Sequence, residues 1–338
     1  MAHIGILKTN KGKKIYMSRY KANMPSVGIT SFLKLPITED FSSLNSDIGF
    51  LGIPYDAGNS WRPGTRFGPR EIRSYSSRYS SWGGNVPKGY WDINHDKRYL
   101  EGITMTDCGD VDLAYYDMDR NRKVITESIQ KMLDAEVFPV IVGGDHSITY
   151  PCICAFEHLG PIDIVQIDAH LDWIDEVDGI RHANGSPMRR AMEKNFTRRM
   201  VQLGIRDVRS READYKFAIS QGSQITTRQM IRDLGVHTIL ERLPDLGNVY
   251  VTIDIDGLDP SIAPGTGSPT VDGLLYHEVL GLLRGIASQS NIVGFDVVEV
   301  NPMVDLNGQT CLLATTLIME FLGTIFYHKE KIRRKKKN

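Results

Sequence analysis

The chain has 338 residues, a formal net charge of -1, 41% hydrophobic and 24% charged residues. This composition is typical of a soluble globular protein, and the balanced charge does not favour nucleic acid as a partner. No run approaches the roughly 18 apolar residues of a membrane span, so no membrane association is expected. The N-terminus lacks the apolar core of a secretory signal, and the four cysteines form no C-x-x-C pair. Free thiols and a cytoplasmic location are therefore predicted.

Three regions follow one another along the chain. Residues 1–45 are mixed in character and are predicted to be an N-terminal extension that packs on the body. Residues 46–326 contain no linker, composition break or internal repeat, so a single domain is predicted there. Residues 327–338 are strongly basic, and such a run is usually a solvated, mobile end.

Short apolar runs alternate with segments of helical character in the central region. The eight runs predicted as strands are 48–56, 103–110, 137–145, 162–170, 200–207, 223–227, 249–256 and 292–300. Segments 120–136 and 277–290 are predicted helices between such runs. Alternation of this kind predicts an α/β domain in which helices cover both faces of a mainly parallel, eight-stranded sheet.

Nearly every predicted strand ends in a polar residue. These residues are Asp56, Asp110, Asp145, His170, Asp207, Asp256 and Glu299. In parallel α/β sheets the ligand binds at the carboxyl ends of the strands. The functional site is therefore predicted at that edge of the sheet.

Three of these strand ends carry groups that bind metals. They are Asp168, His170 and Asp172 after one strand, Asp254 and Asp256 after a second, and His146 after a third. Side chains at every second position point to one side if the chain stays extended. Four carboxylates converge in a poorly solvated pocket only when something neutralises them, and two divalent cations would do so. Oxygen and nitrogen ligands without sulfur favour Mn²⁺, with Co²⁺, Ni²⁺ and Zn²⁺ as alternatives.

Four motifs give the chain a resemblance to the ureohydrolase family of arginases and agmatinases, over about residues 48–325. They are "GGDHS" (143–147), "DAHLD" (168–172), "TIDIDGLDPSIAPGTGSP" (252–269) and "GFDVVEVNP" (294–302). The resemblance implies the three-layer arginase-like fold and two manganese ions per subunit. It implies one metal bound by His146, Asp168, Asp172 and Asp254, and a second bound by Asp168, His170, Asp254 and Asp256. Asp168 and Asp254 would bridge the two ions.

The activity that the resemblance implies is hydrolysis of a guanidino compound to urea and an amine. A hydroxide that bridges the metals would attack the guanidinium carbon, and Asp256 would accept its proton. Glu299 of "VVEVNP" would hold the guanidinium by paired hydrogen bonds, although a salt-bridged strand-end residue is the alternative. The small negative charge left after the metals bind suits a cationic substrate.

Two loops bear on the identity of the substrate. Residues 52–73, "GIPYDAGNSWRPGTRFGPREIR", resemble agmatinases and their guanidino-acid relatives, and 57–62 are candidates to line the pocket. Residues 173–190, "WIDEVDGIRHANGSPMRR", form an acidic loop with an aromatic residue, which suits the second positive charge of agmatine or is ordinary surface acidity. Trp173 is predicted to contact the substrate. Agmatine is the first substrate predicted, with guanidinobutyrate, guanidinopropionate or guanidine as alternatives. A guanidino acid would need a cationic anchor, for which Arg181 is a candidate.

The second loop departs from the family pattern. Members of the family place a histidine before a G-x-P turn, where it can shuttle protons, but this chain has Asn184-Gly185-Ser186-Pro187. Asparagine cannot titrate, so Asn184 is predicted only as a substrate contact. His182 is a candidate acid/base, and a plain loop histidine, a reaction without the shuttle or a different substrate are the alternatives.

Two other classes of protein fit the sequence less well than an amidinohydrolase. A catalytically silent subunit with this fold would be expected to have lost ligands, yet all six are present. A deacetylase-like metallohydrolase is disfavoured by the pairing of "GGDHS" with "VVEVNP". The resemblance also implies a homo-trimer or homo-hexamer, and agmatine as substrate would place the enzyme in polyamine metabolism.

Overall fold

The computed structural model describes residues 6–8, 14–16, 25–59, 61–80, 89–114 and 116–335, with side chains from residue 25 to 329 within those ranges. Its strands are β1 (Ile6–Lys8), β2 (Lys14–Tyr16), β3 (Ile48–Ile53), β4 (Tyr90–Asp92), β5 (Lys97–Tyr99), β6 (Met105–Asp110), β7 (Phe138–Gly143), β8 (Ile162–Ile167), β9 (Thr197–Ile205), β10 (Gln224–Thr227), β11 (Asn248–Asp254) and β12 (Asn291–Val298). Its helices are α1 (Gly68–Ser76), α2 (Met118–Asp134), α3 (Thr149–Cys154), α4 (Pro187–Met192), α5 (Glu212–Ser220), α6 (Arg228–Glu241), α7 (Tyr276–Gln289) and α8 (Gln309–Lys335).

The eight predicted strands form one sheet. Its order is β10-β9-β8-β11-β12-β7-β3-β6, and all seven pairings are parallel. The predicted eight-stranded parallel sheet is therefore confirmed. Two short antiparallel pairs, β1 with β2 and β4 with β5, were not predicted. Three-residue strands carry too little alternation to be detected in a sequence.

Helices cover both faces of the sheet, because its strands are apolar on both sides. In β8, Val165 and Ile167 pack in one hydrophobic cluster, whereas Ile162 and Ile164 pack in the other. The first cluster includes residues of α1, α6, α7 and α8, and the second includes residues of α2, α3, α4 and α5. This three-layer arrangement explains why the central strands are continuous apolar runs.

The strand order brings the predicted site together. After β7 the chain builds β8, β9 and β10 outward, and it then returns to insert β11 and β12 between β7 and β8. The four central strands, β8, β11, β12 and β7, are thus neighbours whose carboxyl ends meet at one edge. These are the strands that the predicted metal and substrate ligands follow.

The segment before β3 packs on the body of the domain. Phe32, Leu33 and Leu35 are buried, and the Phe32 ring stacks on Phe50 with 4.2 Å between centroids. At the other end, α8 continues to Lys335 and so includes most of the predicted tail. The predicted boundaries at 45/46 and 326/327 stay predictions, and residues 1–5, 9–13, 17–24 and 336–338 lie outside the described residues.

Helix α8 contradicts one expectation from the sequence. Its segment Gln309–Lys329 is long and apolar enough to cross a membrane by length and composition, although no such run was expected. In the structure, 67% of its apolar window is buried inside the protein. Leu317, Phe321 and Leu322 are among its residues in the core. The apolar character of α8 is therefore accounted for by packing against the sheet and against α1 and α7.

Candidate active site

A histidine and three carboxylates converge at the carboxyl edge of the central strands. The Nδ1 atom of His146 lies 2.8 Å from Asp172 Oδ2, 3.1 Å from Asp168 Oδ2 and 3.2 Å from Asp254 Oδ2. All four side chains are buried. Despite this proximity, His146 Nδ1 has no hydrogen bond of acceptable geometry among the described residues. The His146 Nδ1 atom thus lies within 3.2 Å of three carboxylate oxygens and bonds to none of them.

A second group shares Asp168 with the first. His170 Nδ1 lies 3.1 Å from Asp256 Oδ2 and 3.4 Å from Asp168 Oδ1. The opposite nitrogen, Nε2, faces Asp207 at 3.3 Å. The two oxygens of Asp168 therefore point toward different histidines. All six predicted ligands lie in these two adjoining groups.

Turns after the strands direct most of these ligands, whereas Asp254 is the last residue of its strand. Strand β8 ends at Ile167, and Asp172 has a φ of 56°, which is uncommon for a residue with a side chain. Strand β11 ends at Asp254, whose carboxylate accepts a hydrogen bond from the Asp256 N–H at 2.9 Å and so starts the tight turn Ile255–Gly257. Such strained positions persist where the surrounding structure holds them, often at functional sites.

Neighbouring polar residues hold the ligands in orientation. The Nε2 atom of His146 lies 2.9 Å from the Thr252 hydroxyl, which donates to Asp296 Oδ1 at 2.6 Å. Gln166 Nε2 donates to Asp168 Oδ2 at 2.6 Å. Partners of this kind fix the ring and the carboxylate before an ion binds, which raises the affinity of a metal site.

The electrostatics of the cluster show an excess of negative charge. Burial, together with Asp256 and Asp168, raises the pKa of Asp254 well above its ordinary value. Burial and Asp168 likewise raise the pKa of Asp172 to about 6. Burial alone would lower the pKa of His146, but Asp172 and the other carboxylates raise it well above the usual range. Extra positive charge is therefore strongly favoured here.

A pair of divalent ions fits this arrangement. The unbonded Nδ1 of His146 and the carboxylate oxygens around it form one ligand group, and Asp168, His170 and Asp256 form the other. All the ligand atoms are oxygen or imidazole nitrogen, as Mn²⁺ and similar ions prefer. The residues present thus fit the two-ion site that the sequence predicts.

Glu299 lies at the floor of the same site. It follows β12, has a φ of 62° and is 3% exposed. Its Oε1 accepts a hydrogen bond from the His146 N–H at 2.9 Å, while Oε2 has no partner among the described residues. Burial and the nearby Asp145 raise the pKa of Glu299 to about 8. A buried carboxylate with an unused oxygen is suited to bind a cation that enters the cavity.

A cavity of about 300 Å³ lies above the cluster and Glu299. Its walls include Ile174, Val177 and Asn184 from the predicted substrate loop, and Gly58 from the loop 57–62. Asn184 Nδ2 lies 3.5 Å from Glu299 Oε1. A larger cavity of about 560 Å³ lies elsewhere and contains none of the predicted residues. The smaller cavity is therefore the candidate substrate pocket.

Trp173 borders the pocket but serves mainly as a support. Its side chain is 1% exposed, and its indole N–H donates to Gln202 Oε1 at 2.9 Å. The ring packs edge-on against Phe217, with 6.0 Å between centroids. Little of the ring is left to contact a substrate, so the predicted binding role of Trp173 is not supported by this position.

His182 points away from the pocket. Its ring stacks on Tyr150, with 5.3 Å between centroids, and it lines a separate small cavity with Tyr55 and Arg122. Burial, with Arg122 and other arginines nearby, lowers the pKa of His182 to about 4. The structure brings Asn184, and not His182, to the pocket. The predicted acid/base role of His182 is therefore not supported by its position.

Several residues that shape the site were not predicted from the sequence. The chief ones are Gln166, Arg209, Thr252 and Asp296. Thr252 and Asp296 are register partners on β11 and β12, a relation that only the strand order reveals. Asp207 was recognised as a polar strand end, and the adjacency of β9 to β8 would have placed it beside His170.

Comparisons with known proteins agree with this geometry. Residues 46–323 match the Arginase family. The chain is 37% identical over 308 residues to a mitochondrial agmatinase of Gallus gallus, with 88% of this chain and 85% of that protein covered. It is 34% identical over 305 residues to a mitochondrial guanidino acid hydrolase of Homo sapiens, with coverage of 88% and 82%.

A solved structure also resembles the fold closely. The proclavaminate amidino hydrolase of Streptomyces clavuligerus superposes with a TM-score of 0.77 at 34% identity. The match covers 90% of this chain and 99% of that chain. The arginase-like fold expected from the sequence is thereby confirmed.

Proposed function

Since the chain belongs to the Arginase family, we propose that it is a metal-dependent amidinohydrolase that hydrolyses a guanidino compound to urea and an amine. The observation that carries this proposal is the joint position of Glu299 and the metal-ligand cluster. Glu299, whose Oε2 has no partner among the described residues, lines the same cavity as the ligands His146, Asp172 and Asp254. A cation held by Glu299 is thus presented to the cluster.

The chain's own residues bind and orient the substrate. A planar guanidinium offers two parallel N–H groups, and the free oxygen of Glu299 can accept one of them in a buried setting. The His146 N–H and the Asn184 amide keep the other oxygen in place, at 2.9 and 3.5 Å. Asp256, 1% exposed beside His170, is positioned to accept a proton at its carboxylate.

Two divalent ions complete the proposed site. His146, Asp168, Asp172 and Asp254 would hold one, and Asp168, His170, Asp254 and Asp256 would hold the other. When bound, the ions would supply a water of lowered pKa and stabilise developing negative charge. Mn²⁺ is proposed because the ligands are carboxylate and imidazole without sulfur.

The names of the relatives support the reaction class, and they differ in the distal group of the substrate. One relative is an agmatinase and another a guanidino acid hydrolase. Agmatine, the first substrate predicted from the sequence, and a guanidino acid both present the same guanidino end to Glu299.

A cytoplasmic location, a role in polyamine metabolism and a homo-trimer or homo-hexamer stay predictions, as does the absence of nucleic acid and membrane partners.

A urea-release assay tests the proposal. The metal-free protein is reconstituted separately with Mn²⁺, Co²⁺, Ni²⁺ and Zn²⁺ and assayed on agmatine, guanidino acids and guanidine. Urea release that requires an added ion, together with its loss in Glu299→Gln, is the expected result. A protein that carries two ions per subunit and releases no urea from any of these compounds would be a silent subunit, and the proposal would be rejected.

A further inference from the structure

We propose that Arg209 and Arg211 form an anion-binding rim that selects guanidino substrates with a carboxylate at the distal end. The inference rests on the proposed amidinohydrolase function and names the class of substrate. Both arginines line the cavity above Glu299 and the metal-ligand cluster. They belong to the loop between β9 and α5, and β9 pairs with β8, the strand that precedes Asp168 and His170. The rim thus lies beside the centre at which the guanidino end is bound.

Both guanidinium groups have N–H donors to spare. Arg211 donates through Nε to Asp214 Oδ2 at 2.5 Å, and neither of its Nη atoms has a partner among the described residues. Arg209 donates through Nε to Asp207 Oδ2 at 2.7 Å and lies 2.5 Å from His170 Nε2 through Nη2, which leaves Nη1. Their side chains are 52% and 59% exposed, so they can move to meet a ligand. The free edge of Arg211 matches a carboxylate, which accepts two parallel hydrogen bonds.

The two carboxylates beside the rim, Asp207 and Asp214, are in contrast already paired with cations. Asp214 is paired with Arg211, and Asp207 is paired with both Arg209 and His170. An amine at the distal end of a substrate would meet two arginines and no unpaired carboxylate of the rim. The rim therefore favours an anionic distal group over the second cation of agmatine.

The loop that suggested agmatine does not provide the missing carboxylate. Asp175 forms ion pairs with Arg181, Arg189 and Arg190, at 2.6 to 3.4 Å. Neither Asp175 nor its neighbour Glu176 lines the pocket. Arg181, the anchor considered from the sequence, also lies outside the lining and pairs with Asp175 and Glu193. The arginines that we propose as the cationic anchor lie instead in the loop between β9 and α5.

Three compounds with the same guanidino group but different charges at the distal end test the inference. The metal-loaded enzyme is assayed for urea release from 4-guanidinobutyrate, from agmatine and from uncharged butylguanidine. We expect kcat/KM for 4-guanidinobutyrate to exceed that for agmatine by at least about tenfold, the effect of one charge-assisted hydrogen bond. Butylguanidine reports on the catalytic centre alone.

Substitution of Arg211 is the decisive variant. Arg211→Gln should lower kcat/KM for 4-guanidinobutyrate by about 10- to 100-fold, mainly through KM, and leave butylguanidine within about twofold. Arg211→Lys should fall between the two because it keeps the charge but loses the planar fork. Arg181→Gln, a substitution of an exposed loop arginine outside the pocket, is the matched control and should change neither substrate.

Arg209 is tested by the ratio of the kcat/KM values for an acidic and a neutral substrate. Because Arg209 also touches His170, Arg209→Gln is judged by kcat/KM for 4-guanidinobutyrate relative to butylguanidine, in which damage to the centre cancels. A preference of the wild type for agmatine overturns the inference while leaving the amidinohydrolase intact. An equal loss on acidic and neutral substrates in Arg211→Gln also overturns it. An absence of urea from all three compounds overturns the inference, and the proposed function is rejected with it when guanidine and the other guanidino acids also release no urea.

Discussion

Asp168 and Asp254 are the residues that we expect to be least replaceable. Asp168 directs one oxygen to each histidine, and Asp254 lies 3.2 Å from His146 while it also starts the turn that carries Asp256. Asp168→Ala and Asp254→Ala should therefore each abolish urea release and lower bound metal below two ions per subunit. Elemental analysis of the purified variants measures the second effect.

Asp233→Ala is the matched control for this pair. Asp233 is an exposed carboxylate on α6, and its removal should change neither metal content nor activity. Full metal content in both Asp168→Ala and Asp254→Ala would show that neither carboxylate is a required ligand. The proposed ligand assignment would then be wrong.

The loop before α4 permits a test of His182 against Asn184. General acid–base catalysis contributes about 10²–10⁴ in rate, so a working acid/base cannot be removed without a large loss. Because the His182 ring stacks on Tyr150 outside the pocket, His182→Phe should change kcat by less than about threefold, far below that range. Asn184→Ala, which removes the amide 3.5 Å from Glu299, should lower kcat/KM by more.

Steady-state kinetics with verified metal content distinguishes the two positions. Phenylalanine preserves the stacking on Tyr150, so a fall of 10²-fold or more in His182→Phe would mean that the imidazole itself takes part in the reaction. That result would restore the acid/base role predicted from the sequence.

The residues of the ligand cluster were predictable from the sequence, whereas the turns that bring them together were not. Alternation along an extended strand was expected to align Asp168, His170 and Asp172, but β8 ends at Ile167. The left-handed backbone at Asp172 returns its side chain to His146. Sequence spacing identified the groups, because carboxylates and imidazoles at strand ends are unusual. It did not reveal the turns, because positive φ at a non-glycine residue has no reliable local signal.

At the level of secondary structure, adjacent positions on β11 and β12 support the metal centre. Thr252 and Asp296 are register partners, and together they hold the Nε2 side of His146. Thr252→Val keeps the shape of the side chain but removes the hydroxyl. We expect metal affinity to fall by about 10- to 100-fold, as is usual when such a supporting group is lost.

Titration of the metal-free variant with Mn²⁺, followed by calorimetry, measures this affinity. Thr252→Ser retains the hydroxyl and should bind metal nearly as well as the wild type. Equal affinities in Thr252→Val and the wild type would show that the Thr252–Asp296 pair does not orient His146.

The turn after β3 gives a pH-dependent prediction. Burial raises the pKa of Asp56, but hydrogen bonds from Arg66 and from the Gly64 N–H outweigh it and hold the pKa below the ordinary value of 3.8. A carboxyl whose pKa is depressed in the folded state stabilises the fold above its unfolded pKa and loses that effect as pH falls through the folded pKa. Asp56→Asn should therefore lower the free energy of unfolding by about 2 kcal/mol at pH 7.

Urea unfolding at a series of pH values checks this sign. The difference between wild type and Asp56→Asn should be constant from pH 7 to about pH 5 and should shrink as pH falls below about 4. Asp119→Asn, which alters an ion pair whose carboxylate is 89% exposed, is the control for the loss of a surface carboxylate. A difference that grows on acidification would contradict the prediction.

The strands and long helices were largely predictable, whereas their order was not. The predicted helices 120–136 and 277–290 correspond to α2 and α7 within two residues at each end. Continuous apolar runs mark strands that are buried on both faces, and β3, β7 and β8 are of this type. The insertion of β11 and β12 between β7 and β8 depends on long-range packing and leaves no local trace. That insertion brings Glu299 and His146 together.

At the scale of the whole molecule, the sheet concentrates ionisable groups in its centre, where solvent cannot neutralise them. His146, Asp168 and Asp256 are each at most 1% exposed, at the meeting point of the central strands. The hydrophobic layer on one side extends from the segment 32–35 to α8, and the layer on the other side includes residues from Leu44 to Val298. The stability of the domain should therefore depend on how the charge of this centre is balanced.

Removal of the metal ions should destabilise the fold measurably. A ligand that binds only the folded state stabilises it by about 2.7 kcal/mol at one hundred times its Kd, and two tightly bound ions contribute more. Their loss also leaves neighbouring buried carboxylates without counter-ions. We expect exhaustive treatment with EDTA to lower Tm by at least about 5 °C, and added Mn²⁺ to restore it.

Differential scanning calorimetry, with elemental analysis of each sample, makes the measurement. Asp168→Ala, which should already lack full metal content, should respond less to EDTA, because fewer ions are left to remove. An unchanged Tm in wild-type protein that is verified to be metal-free would show that the ions do not hold the sheet edge together.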